Sequence, residues 1–156
     1  GSKKGEVRAG APAPRRLGGN AETVVREAIA AARALVRRGD YPQALRLLAR
    51  AEEQVPGARE LTLERLSVQR LRDAEVEERI KQGIAKFQRE DLEGAIEEWT
   101  RALELDPDNT VALDYRKKAQ GMLRRIEEIR EEARRRGEIP ADREGGPERR
   151  PPADRP

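Results

Sequence analysis

GIAKFQREDLEGAIEEWTRALELDPDN, residues 83–109, decides the fold. Ile84 and Phe87 close one apolar helix face. Glu90-Asp91 makes a tight turn, and Asp91 is placed to cap a second helix. Ala95, Ile96, Trp99, Ala102 and Leu103 then recur at helical spacing until Asp106-Pro107 stops the run. The result is one helix hairpin with a seam of small residues. Such a unit cannot bury its apolar face alone, so neighbours must stack on it. The stretch points to a binding scaffold and not to a catalytic centre.

The rest of the chain agrees with an all-α reading. Charged residues make up 40% of its 156 residues, and there are only one Trp, two Tyr and one Phe. A sandwich or barrel needs more β-branched and aromatic positions than this. Ala, Leu, Glu and Arg are strong helix formers. The net charge is +3. Residues 1–19 alone carry Lys3, Lys4, Arg8, Arg15 and Arg16 against Glu6, which leaves the middle of the chain neutral. A nucleic-acid binder shows its basic face on the folded part, so the distribution argues against that function. With no Cys and no His, thiol nucleophiles, disulfides, Ser-His-Asp triads and ordinary zinc sites are excluded. The lack of Cys fits cytoplasm or periplasm and selects neither. No apolar run is long enough to span a membrane.

Residues 1–19 and 138–156 read as disordered tails, the second holding five of the ten prolines. Flanks of this kind, and a Gly1-Ser2 start that resembles a tag remnant, suggest a domain cut from a longer protein. The helical domain is expected over residues 20–137. Asn20 is the expected cap of a first helix running to about Arg38, with Val25, Ala28, Ile29, Ala32, Leu35 and Val36 inward. Gly39 turns the chain and Asp40 caps a second helix that tolerates Pro42 in its first turn. From Ala58 to Arg89, residues Leu61, Leu66, Val68, Leu71, Val76, Ile80, Ile84 and Phe87 keep helical spacing. They form one long helix, or two with a bend near Arg72-Asp73. Asn109 caps a last helix to about Arg136.

The chain also matches itself 51 residues apart. Asp40, Ala44-Leu45, Leu48, Ala51 and Pro56 align with Asp91, Ala95-Ile96, Trp99, Ala102 and Pro107. Here it resembles the tetratricopeptide repeat (TPR) family, whose unit is a helix hairpin of about 34 residues. Gly83, and Ala32 in the first unit, stand where the family places a small residue at the helix crossing. Small residues let helix axes approach to about 8–9 Å. The offset of 51 means that one helix, roughly Ala58–Asp73, is inserted between two recognisable units. The fold expected is an all-α, TPR-like right-handed antiparallel helix array: helix hairpins, an extra helix and a long C-terminal capping helix.

The resemblance implies a concave groove lined by the first helix of each hairpin. By position its residues are Arg26, Ile29, Arg33, Val36 and Arg37, then Glu77, Ile80, Ile84, Phe87 and Gln88. Arg26, Arg33 and Arg37 share a face suited to an acidic segment or carboxylate, or are simply a solvated surface. The Lys/Asn clamp of co-chaperone members is absent, since Ile29, Arg33, Ile80 and Ile84 occupy its positions. Ile80, Ile84 and Phe87 suit an apolar or amphipathic segment, or are core. The implied partner is another protein or peptide segment.

In the last helix Ala112, Tyr115, Ala119, Met122, Ile126, Ile129 and Ala133 make a heptad seam. It either caps the domain or pairs with a second chain through Met122, Ile126 and Ile129. Trp99 reads as core, and the Glu127-Glu128 and Glu131-Glu132 clusters as surface ion pairs with neighbouring arginines. No phosphate loop or apolar carboxylate pair marks an enzyme, and neither a cofactor nor a metal is called for. Protein–protein interaction is the function expected. A homodimerising scaffold, or nucleic-acid association through the N-terminal tail, is the alternative.

Overall fold

Helix boundaries follow from local chemistry at each end. The computed structural model describes residues 18–140. Within them lie five helices: α1 (Gly19–Arg37), α2 (Tyr41–Gln54), α3 (Arg59–Gln88), α4 (Leu92–Leu105) and α5 (Thr110–Arg135). The all-α class therefore holds for the described residues. The tail readings at 1–17 and 141–156 lie outside them.

Asp40 Oδ1 accepts from the Gln43 amide at 3.2 Å, Asp91 Oδ1 from Gly94 at 2.9 Å and Asn109 Oδ1 from Ala112 at 2.9 Å. Each side chain satisfies an amide that the first helical turn leaves without a partner. α1 starts differently. The Glu22 amide already donates to the Gly18 carbonyl at 3.0 Å, and Gly18, not Asn20, is the cap and offers no side chain. Starting earlier lets Ala21 and Val24 pack on the core of the first half.

α1 and α3 end in the same way. Asp40 N–H reaches back to Leu35 O and Gly39 N–H to Val36 O, with Gly39 at φ +75°. Asp91 N–H reaches Lys86 O and Glu90 N–H reaches Phe87 O, with Glu90 at φ +66°. This is the Schellman pattern, which needs a left-handed residue just past the helix.

The 51-residue offset is structural as well as sequential. α2 and α4 are both 14 residues long and start 51 residues apart, as do α3 and α5. The inserted helix and the first helix of the second hairpin are one continuous 30-residue rod, α3. Its first half closes a core with α1 and α2, built from Val25, Ala32, Ala44, Leu48, Leu61 and Val68. Its second half closes others with α4 and α5, around Val76, Ala102 and Ala112 and around Ala95, Trp99 and Ala119. The inward face drifts around the rod between the two halves. Leu66 and Leu71 lie at 42% and 47% exposure, while Leu61, Val68 and Val76 are buried.

Candidate functional site

Each hairpin crosses at a small residue set against a large one. In the second, Trp99 is fully buried and its indole nitrogen edge packs against Gly83. Its Nε1 donates to the Ile80 carbonyl at 3.3 Å. Tyr115 stacks on one side with ring centroids 5.2 Å apart, and Phe87 tilts in at 6.1 Å. In the first hairpin Leu48 and Ala32, the residues 51 positions earlier, do the same work with less volume. These seams are the frame on which the outer faces are displayed.

The two hairpins differ sharply on one outer face. Between α1 and α2 lies an open groove of about 560 Å³. Val24, Ala28, Ala31, Leu35 and Leu47 form its apolar floor, with Glu27, Arg46 and Arg50 among its rim. Moving 51 residues along, those five floor residues become Glu75, Arg79, Gln82, Lys86 and Glu98. Each of these five positions is polar or charged in the second hairpin, while Ala51, which also lines the groove, is matched by the buried Ala102.

Those charges form a closed network. Glu98 is only 5% exposed. Its Oε2 accepts from Arg79 Nη1 at 3.2 Å and its Oε1 from Lys86 Nζ at 3.0 Å, with Arg101 at 3.6 Å. Arg79 also donates to Glu75 at 3.0 Å. Burial pushes the Glu98 carboxyl up, but the Lys86 and Arg79 hydrogen bonds outweigh it, and the group is held below its ordinary range. The Arg79 guanidinium is correspondingly raised, chiefly by its bond to Glu98. A buried carboxylate with fewer partners would be costly; this one is fully paired. The second hairpin thus satisfies its own outer face, and the first leaves the equivalent face bare.

The residues expected to bind a partner lie elsewhere on α1 and α3. Arg33 makes a two-pronged bond to Glu64 on α3, at 2.9 and 3.0 Å, which raises its guanidinium above the ordinary value. Arg26 and Arg37 are exposed on the same side of α1, and Ile29 is half-buried. That side points away from the α1–α2 groove. Ile80, Ile84 and Phe87 are half-buried against the Trp99 core, and Gln88 is exposed. The structure thus joins Arg33 to α3 and joins Ile80, Ile84 and Phe87 to Trp99. It does not draw the two sets around one cavity.

Glu98 and the groove floor were not singled out by motif reading. The signal was present: Leu47 and Glu98 are 51 residues apart and differ in kind, inside an α2–α4 alignment that keeps Ala44, Leu48 and Ala51 apolar as Ala95, Trp99 and Ala102. In α5 the seam divides. Ala112 and Ala119 are buried and cap the second hairpin. Met122 and Ile129 are 42% and 52% exposed, and Ile126 is half-buried.

Among the described residues no group of three or more carboxylate, His or Cys side chains is placed to hold a metal ion. No described helix is long and apolar enough to cross a membrane. No protein-family model, no curated protein and no solved structure matches the chain.

Proposed function

We propose that the chain is a TPR-like helical-repeat module for protein–protein interaction. It holds an amphipathic helical segment of a partner protein in the α1–α2 groove. The observation that supports this most is the contrast between equivalent faces. The second hairpin carries Glu75, Arg79, Lys86 and Glu98 where the first carries Val24, Ala28, Leu35 and Leu47. A face that has no need of a neighbour is polar and internally paired; the bare one gains by being covered. Small floor residues such as Ala28 and Ala31 admit a helix at close range. Arg46 and Arg50 line the α2 side of the groove. The occupant is therefore a helix with aliphatic residues at i, i+3, i+4 and i+7 and carboxylates along one flank.

The test is selection of a displayed library of amphipathic helices on the full chain. The expected winners carry that aliphatic spacing and acidic flank. They lose at least ten-fold in affinity for the Ala31→Arg variant, since Ala31 is exposed at the groove and tolerates the change in the fold. Winners that bind Ala31→Arg as well as the unchanged chain, but fail on Arg26→Glu/Arg37→Glu, would move the site to the arginine face of α1.

A further inference from the structure

α5 is longer than the hairpin it caps. At about 1.5 Å per residue its 26 residues run about 39 Å, against about 21 Å for the 14 of α4. Its apolar seam does not stop where the capping stops. Past Gly121 the same heptad continues through Met122, Ile126, Ile129 and Ala133. Met122 and Ile129 are exposed, and the stripe is continuous with the buried Ala119 of the Trp99 core.

The residues flanking that stripe carry a direction. If Ala119, Ile126 and Ala133 take the first apolar position of the heptad, then Met122 and Ile129 take the second. Arg125 and Glu132 flank the stripe on one side, and Leu123 and Arg130 on the other. In a parallel pair Arg125 would face Arg130 of the second copy, a like-charge contact on both sides of the seam. In an antiparallel pair Arg125 faces Glu132 of the second copy, twice by symmetry, and Leu123 lies along the aliphatic stem of Arg130. Ile126 then packs on Ile129 of the second copy and Met122 on Ala133. The outward-facing Glu131 is meanwhile held within its own helix, by Arg134 at 3.3 Å and Arg135 at 3.5 Å.

We infer that the second half of α5 is a self-association surface whose occupant is the same segment of a second copy, running antiparallel. The pairing is isologous, so it closes at two chains and leaves both α1–α2 grooves open. It rests on α5 alone and stands or falls separately from the groove. Two heptads make a small interface, so the dimer forms in the micromolar range and not below it.

Sedimentation of the full chain from low to high micromolar concentration tests this. The expected result is a mass that rises from one chain to two and goes no higher. Ile129→Arg, at a site already half exposed, abolishes the rise without lowering helicity. Arg125→Glu weakens association at least ten-fold, and adding Glu132→Arg to it restores association, because the pair is re-formed with its signs exchanged. Nitroxides on Glu128→Cys and on Arg135→Cys read the direction, since the chain has no cysteine of its own. An antiparallel pair brings the labels at 128 together and sets those at 135 about 20 Å farther apart; a parallel pair keeps both close. A single-chain mass throughout, a failed charge exchange, equal label distances, or a dimer lost in Ala31→Arg would each overturn the inference.

Discussion

Gly83 lies so close to Trp99 that a Cβ built on it would fall 2.6 Å from the indole Cε2. The indole has nowhere to retreat. It is fully buried, with Tyr115 stacked on it, Phe87 tilted against it, and its Nε1 bonded to the Ile80 carbonyl. Glycine at this point in α3 gives up about 1 kcal/mol of helix propensity relative to alanine. The close crossing more than offsets that loss.

Gly83→Ala therefore carries two effects of opposite sign, and the steric one is larger. Overpacking a filled core costs about 1–3 kcal/mol. The propensity gain of about 1 kcal/mol leaves a net destabilisation of about 1–2 kcal/mol. The expected outcome is a lower denaturant midpoint with an unchanged slope, and altered near-ultraviolet circular dichroism from Trp99, the chain's only tryptophan. A second variant separates the causes: Trp99→Leu, which copies Leu48 of the first hairpin, should make Gly83→Ala nearly harmless in its background. If Gly83→Ala costs the same with leucine at position 99, the clash is not the reason.

How far the sequence alone reached depended on whether a feature was local. The caps Asp40, Asp91 and Asn109 were legible because a side chain three residues before an open amide is a short-range device. So was the helix stop at Pro107. The extent of α3 was only half legible. Its spacing spoke for a helix but did not say which of its apolar residues are buried, because the rod packs on α1 and α2 in one half and on α4 and α5 in the other, which is a tertiary fact. The α5 seam posed a choice between capping and pairing. The structure divides it at Gly121, with Ala112 and Ala119 capping and Met122 and Ile129 left exposed. Arg26, Arg33 and Arg37 are all exposed on α1. What one helix could not reveal was that Arg33 is already bonded across to Glu64.

Glu90 offers a stabilising change. It sits at φ +66° in the position that Gly39, at φ +75°, fills in the first hairpin. An L-residue with a Cβ pays about 1 kcal/mol or more for the left-handed region, and glycine does not. Part of that gain is returned as unfolded-chain entropy. Glu90→Gly should raise stability by about 0.5–1 kcal/mol, and Gly39→Ala should lower it by about 1 kcal/mol. Thermal or urea unfolding of the two variants checks the pair. A Glu90→Gly protein less stable than the parent would mean that the Glu90 side chain stabilises more than its backbone strain costs.

Glu98 gives the fold a defined acid limit. Its folded pKa lies below the ordinary carboxylate range, so the unfolded chain binds this proton more readily than the folded one. Its contribution is therefore fully present above the unfolded value near 4.3 and is lost as pH falls through the lower, folded value. Arg79 is raised from a value already far above neutrality, and so stays charged throughout. Other carboxylates titrate in the same window, and comparison with Glu98→Gln isolates this one. At neutral pH that variant should be less stable by about 1–3 kcal/mol, since Lys86 loses its Glu98 carboxylate and Arg79 keeps only that of Glu75, while both retain some access to water. The gap should narrow as pH drops from about 5 towards 3, because the wild-type carboxyl becomes neutral as well. Urea midpoints across that range measure it. A gap that holds constant down to pH 3 would show that Glu98 acts through shape and packing, and that its charge does not close the outer face of the second hairpin.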